Sequence, residues 1–217
     1  MPETAAAVYT DGHHKPLMRR LFREEEMDTL EAIATRRSIR QFQDTPIPDD
    51  LLRTILKAAT QAPSGKNRQP WRFVIVTGDR RREMVRVMRD GMAKSKARGE
   101  GLGSAESTAR VMEQAPVTVF CFNPNGSHPY LAHSVGEMFE DLVNVQSVGA
   151  AIQNMLLAAQ DLGIGSLWIC DVFFAYDELC AWLGEQCEMI AAVSLGYPDE
   201  QPDARPRRPV SRVARWL

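Results

Sequence analysis

The 217-residue chain carries 26 Lys plus Arg against 28 Asp plus Glu, a formal net charge of -2, and is 44% hydrophobic and 25% charged. That length suits one domain of roughly 100–200 residues, and the near-average composition argues against a disordered or low-complexity chain. Near-neutrality argues against a generic nucleic-acid binder, which is usually basic overall, and no uninterrupted apolar run approaches the roughly 20 residues a bilayer requires.

Residues 1–27 read as an N-terminal extension, expected to be mobile unless docked. They mix Ala, Pro, Gly and His with the acidic block Glu24, Glu25 and Glu26 and hold no sustained apolar period. Arg19, Arg20, Arg23 and that block interrupt any signal-peptide core, so a cytoplasmic protein is expected. The domain is expected over residues 28–217. Asp28 and Glu31 have capping-box spacing, followed by Leu30 and Ile33 as the apolar stripe of a short helix. A second helix starts near Asp49 with Leu51, Leu52, Ile55, Leu56 and Ala59 on one face, and stops before Pro63.

Residues 71–77 (WRFVIVT) read as a strand. Residues 79–98 form a charged helix whose apolar face is Met84, Val85, Val87, Met88 and Met92, and residues 99–107 a flexible loop. A second strand covers 116–122, and a long helical stretch covers 131–162, with a break expected near 145–149. The second half of that stretch is small and apolar around most of its circumference, which suits a buried helix. A third strand at 166–170, a helix at 176–183 and a fourth strand at 189–195 follow, before a tail that turns helical at 210–216. The order αα-β-α-β-αα-β-α-β indicates an α+β or mixed-sheet fold.

Four cysteines (Cys121, Cys170, Cys180, Cys187) form no C-x-x-C pair and read as reduced thiols. The histidines have no metal-ligand spacing, so no metal site is expected. There is no G-x-G-x-x-G after a strand, no P-loop, no G-x-S-x-G, and no nucleophile-base arrangement; no catalytic side chain is assigned.

Arginine placement is the sharpest signal. Arg36, Arg37 and Arg40 cluster with Ser38 after the first helix, and Arg205, Arg207 and Arg208 cluster in the tail. Guanidinium forks suit bidentate contact with phosphate oxygens. Converging clusters would make a phosphate site; separate ones would be solvated basic patches, which surface arginines favour about two to one. The second signal is residues 62–71 (APSGKNRQPW). Asn67 and Gln69 each offer a donor and an acceptor, as a ring of alternating carbonyl and N–H groups requires. Pro63, Ser64 and Gly65 could equally be a plain turn.

Taken together, ATRRSIRQF, APSGKNRQPWRFVIV, SVGAAIQNMLLAAQDLGIGSLWI and PRRPV, in this order and spacing, resemble the FMN-dependent nitroreductase family over residues 28–217. The resemblance implies an intertwined homodimer with a mixed central sheet flanked by helices and FMN at the subunit interface. It assigns Arg36, Arg37, Ser38 and Arg40 to phosphate, ribityl chain and pyrimidine edge. Pro63, Ser64, Gly65, Asn67 and Gln69 would reach the flavin from the partner subunit. Trp168, Ile169 and Cys170 would run beside the ring near N5, and Arg207, with Arg208 in the same motif and Arg205 as a weaker candidate, would return to the phosphate. Some relatives carry an acidic residue and glycine beside N5, where this chain has Cys170 and Asp171. The implied activity is ping-pong reduction, with NADH or NADPH as donor and a nitroaromatic, quinone or similar small molecule as acceptor. Within the family, reductive dehalogenation or oxygen-dependent oxidation of one metabolite competes; outside enzymes, a flavin- or nucleic-acid-binding module does.

Overall fold

The computed structural model describes residues 27–126, 128–129 and 131–217. Apart from Met27, the N-terminal extension lies outside them. The fold is α+β: a four-stranded sheet with helices on both faces. Its strands are β1 (Arg72–Thr77), β2 (Val117–Asn123), β3 (Gly165–Ile169) and β4 (Glu188–Gly196), in the spatial order β1-β2-β4-β3. All three pairings between these strands are antiparallel. The mixed character expected of the sheet is confined to one isolated parallel bridge, Ser38 to Ser166.

Alternation along the strands sorts the core into two halves. Phe120 and Phe122 of β2, Met189 and Ala192 of β4, and Leu167 and Ile169 of β3 point to one side. There they meet α3 (Arg80–Ala97), α4 (Ala105–Gln114) and α6 (Tyr176–Leu183). Val119 and Cys121, with Val193 and Leu195, point to the other side, against α2 (Asp49–Ala59) and α5 (Val135–Asp161). β2 is buried throughout, as expected of a central strand covered on both faces.

Local chemistry accounts for most boundaries. Asp28 caps α1 (Thr29–Thr35) by accepting the Glu31 N–H at 2.8 Å. Ser134 and Glu137 close a full capping box on α5. The α3 face expected from Met84, Val85, Val87, Met88 and Met92 is buried as read.

Other expectations are corrected. Leu30 and Ile33 do not pack inward; they are 77% and 52% exposed, and Ala32 is the buried residue of α1. Residues 105–114, for which the sequence pattern predicts no helix, form α4. Its buried face of Ala105, Thr108, Ala109 and Met112 has helical spacing, but is too small and polar to stand out. α5 is not broken near 145–149. Gly149 lies beside Trp168, where a Cβ would stand 3.7 Å from the indole, and packing of this kind outweighs the roughly 1 kcal/mol propensity cost of a helical glycine. The third strand ends at Ile169, one residue before the expected end, and the tail holds only a short 3₁₀ turn, Val210–Arg212, in place of a helix over 210–216. α5 is long and apolar enough in composition to cross a bilayer, although 44% of its most apolar window is buried within the fold.

Gly91 of α3 permits a close approach. A Cβ there would stand 2.4 Å from Ala175 Cβ and 2.5 Å from Ala175 Cα, in the 3₁₀ turn Asp171–Ala175 that follows β3. Because one obstacle is backbone, side-chain repacking cannot relieve it. Gly91→Val is expected to lower the unfolding free energy by about 2–3 kcal/mol, measured by urea denaturation.

Candidate active site

The segment after α1 is clamped between two later parts of the chain. The Ile39 N–H donates to Ser166 O at 2.9 Å, which docks the segment on β3. On its other side the returning tail pairs with it: the Gln43 N–H donates to Tyr197 O and the Asp199 N–H to Gln41 O, both at 2.9 Å. Glu200 completes the clamp. Its Oε1 accepts the backbone N–H groups of Arg40 and, at 3.2 Å, of Gln41. Glu200 had no signal in the sequence, because a carboxylate that binds backbone leaves no motif.

This clamp brings the two arginine clusters together. A cleft of ≈ 660 Å³ is lined by Arg36, Arg37, Ser38 and Arg40 from the first segment, and by Arg205 and Arg207 from the tail. Asp203 also lines it. None of these five arginines is ion-paired to a carboxylate among the described residues. Burial, reinforced by the neighbouring charges of Arg207 and Arg37, pushes the Arg36 guanidinium below its ordinary pKa. An anion in the cleft would offset that repulsion, so the donor set fits a phosphate group.

The arginines are not equivalent. Arg37 Nη1 donates to Ala34 O at 2.8 Å and Arg36 O at 2.9 Å, closing the C-terminal end of α1. Arg40 Nη1 donates to Ser38 O at 3.2 Å. Arg207 Nη1 reaches Arg205 O at 3.2 Å. Arg208 is exposed and lies outside the cleft lining.

From Ser166, beside the cleft, β3 leads to Cys170. Leu167 and Ile169 face the core, whereas Trp168 and Cys170 are exposed on the opposite face. Four residues of strand cover roughly 13 Å. Burial, then the charge of Asp171, raises the Cys170 thiol above its ordinary pKa, which disfavours a reactive thiolate.

Residues 63–69 sit elsewhere, against the middle of α5. The Gly65 N–H donates to Ser147 Oγ at 3.4 Å. A Cβ on Gly65 would stand 2.5 Å from Val143 Cγ1, so the glycine permits this contact. Ser64 Oγ accepts the Gln69 N–H at 3.0 Å, and Arg68 pairs with Glu140 at 3.0 Å. Lys66, Asn67 and Gln69 all take positive φ, near 50°. Three non-glycine residues in that region within one loop are uncommon and point to a functional constraint. Pro63, Asn67 and Gln69 are exposed, and none of the five loop residues lines the arginine cleft.

The Nitroreductase family profile matches residues 33–197. The chain belongs to the nitroreductase family. An Archaeoglobus fulgidus protein named for NADH dehydrogenase or NAD(P)H nitroreductase activity is 36% identical over 182 residues, covering 81% of this chain and 88% of that one. The NADPH-flavin oxidoreductase of Vibrio harveyi is 30% identical over 190 residues, covering 86% and 72%. Among solved structures, a nitroreductase-type protein from Desulfovibrio desulfuricans in complex with FMN superposes with a TM-score of 0.66 at 28% identity, covering 85% of this chain and 94% of that one. All four family-like blocks fall on the clamp, the strained loop, the α5-β3 unit or the tail.

Glu200→Ala is expected to release the tail from residues 40 and 41. Local opening there should become easier by about 1 kcal/mol, read as faster hydrogen exchange at the Arg40 and Gln41 amides while the amides of β2 stay protected.

Proposed function

We propose that the chain is an FMN-dependent NAD(P)H oxidoreductase that reduces a nitroaromatic, quinone or similar small acceptor. The observation that carries this reading is the convergence of Arg36 and Arg207 on one cleft without a carboxylate partner among the described residues. The FMN bound by the Desulfovibrio relative and the NADPH-flavin activity named for the Vibrio relative support the choice of cofactor and donor.

When bound, FMN supplies two-electron chemistry between a nicotinamide donor and an acceptor. The protein binds and orients. Arg36 and Arg207 hold the phosphate, Arg205 and Arg37 add positive charge around it, and Ser38 offers a hydroxyl to the phosphate or the ribityl chain. Arg208 remains with the tail motif as a more peripheral contact. Arg40 would supply positive charge at the pyrimidine edge of the flavin. Trp168, Ile169 and Cys170, at the end of β3 and the start of the turn after it, would border the ring, and the side chain of Cys170 would serve as packing.

Pro63, Ser64, Gly65, Asn67 and Gln69 act from a second copy of the chain. Geometry favours this arrangement. Ser147, which receives the loop, and Gly149, which adjoins Trp168, lie about 200° apart around α5. One chain's loop and β3 edge thus approach its α5 from opposite sides. A dimer also accounts for the open apolar stripe of Val135, Met138, Phe139 and Leu142 on α5, at i, i+3, i+4 and i+7. The exposed Leu30 and Ile33 of α1 fit the same use. Residues 28–217 form the FMN-binding domain on this reading. Its four free cysteines suit a reducing, cytoplasmic compartment.

The test is to load the purified protein with FMN, reduce it anaerobically with NADH or NADPH, and follow reoxidation by nitroaromatic and quinone acceptors. Arg36→Ala and Arg207→Ala should each weaken FMN binding about 10- to 100-fold, the value of a charge-assisted contact; unchanged affinity in both would overturn the cleft as the phosphate site. Analytical ultracentrifugation should give a dimer, and an FMN-loaded monomer would overturn the crossing loop.

A further inference from the structure

The turn after β3 is tied down by helices on the side of the sheet away from α5. On α3, Ser95 Oγ donates to Phe174 O at 2.8 Å, and Gly91 lets that helix lie directly on Ala175. These contacts go mainly to backbone. The tie to α4 goes to one side chain. Ser104 Oγ donates to Asp171 Oδ2 at 2.9 Å, and Thr108 Oγ1 donates to the same oxygen at 2.5 Å. Ser104 is the N-cap residue of α4, and Thr108, one turn further in, is buried. The carboxylate therefore also lies by the end of α4 whose free N–H groups favour negative charge.

Asp171 directly follows Cys170, whose side chain is exposed. The corner between α3 and α4 buries little apolar surface: residues 99–101, 103 and 104 are exposed and Leu102 alone of these packs against the core. Glu100 is held to the end of α3 by its N–H to Ser95 O at 3.1 Å and by Arg98 at 2.8 Å. Hydrogen bonds to a charged acceptor are about twice as strong as neutral ones. Two of them converging on one oxygen can hold a corner that has little apolar surface to bury.

We propose that Asp171 is a positioning residue that latches the corner between α3 and α4 against the end of β3, and that this latch bounds the space in which the electron acceptor binds beside Cys170. The proposal rests on the FMN-oxidoreductase reading given above. The latch acts on selection of the acceptor: Ser104, Thr108 and Asp171 lie outside the arginine cleft that would hold the FMN phosphate, and their hydroxyls and carboxylate are engaged with one another. Ser104 falls within the loop expected over 99–107, and a lone Thr108 after it carries no motif.

The experiment compares FMN-loaded wild type with Thr108→Val, which removes one hydroxyl without changing shape, and Thr108→Ser, which restores it. Asp171→Ala is the second variant, made alongside because it removes both bonds. Three quantities are read: FMN affinity, the KM and kcat for p-benzoquinone with NADPH as donor, and hydrogen exchange over residues 99–108. Thr108→Val should speed exchange in that segment about tenfold, as loss of a hydrogen bond to a charged group implies. It should raise the quinone KM about fivefold or more while kcat and FMN affinity stay within twofold, and Thr108→Ser should recover both.

Unchanged exchange would overturn the latch, and faster exchange with an unmoved KM, or equal losses in kcat and FMN affinity, would overturn its role in acceptor binding; each leaves the cofactor reading intact. A wild-type protein that takes up no FMN would overturn both.

Discussion

The docking of one short segment, residues 36–43, between β3 and the returning tail is the constraint on which the candidate site depends. Ser166 holds it on one side, and Tyr197, Asp199 and Glu200 hold it on the other. Glu200 is the member of this clamp that joins it through a side-chain carboxylate, and it binds backbone N–H groups instead of guanidinium. The arginines are therefore brought together without an ion pair to a carboxylate among the described residues. Burial first, and then the neighbouring charges of Arg207 and Arg37, hold the Arg36 guanidinium below its ordinary pKa. An anion in this cleft would offset the unfavourable burial and crowding of these guanidinium groups.

The sheet makes this arrangement stiff. β2 and β4 are buried on both faces, so the two halves of the core transmit position across the sheet. β3, an edge strand of the described sheet, serves as the ruler between the cleft and Cys170. Its core-facing residues, Leu167 and Ile169, set its depth, while Trp168 and Cys170 remain open to a ligand. α5 carries two duties on opposite sides: it supports the strained loop through Val143 and Ser147, and it approaches β3 through Gly149. The α4 side contributes a different kind of support, polar and local, through Asp171.

Much of the fold was legible in the residues. The apolar faces of α2 and α3, the four strands and the helix at 176–183 follow from periodicity, because burial on one face leaves a pattern. Three failures share a cause. The segment at 145–149 looked like a helix break, the loop expected over 99–107 ran into α4 and left the rest of that helix without a signal, and Leu30 with Ile33 looked like a core stripe. In each case a tertiary neighbour, or in the single chain the lack of one, overrode local preference.

By itself, the sequence determined which chemistry was available: arginines in two clusters, an amide-bearing loop, free cysteines, and four blocks in a family's order. Those are properties of residue type and spacing, which need no coordinates. Only the tertiary structure decided that the clusters share a cleft, because their union depends on Ser166 and Glu200 pairing with backbone atoms that carry no side-chain signature. It likewise decided that the loop of residues 63–69 lies apart from that cleft, since the direction in which a helix presents its contacts is set by packing around α5 and not by the loop's own composition.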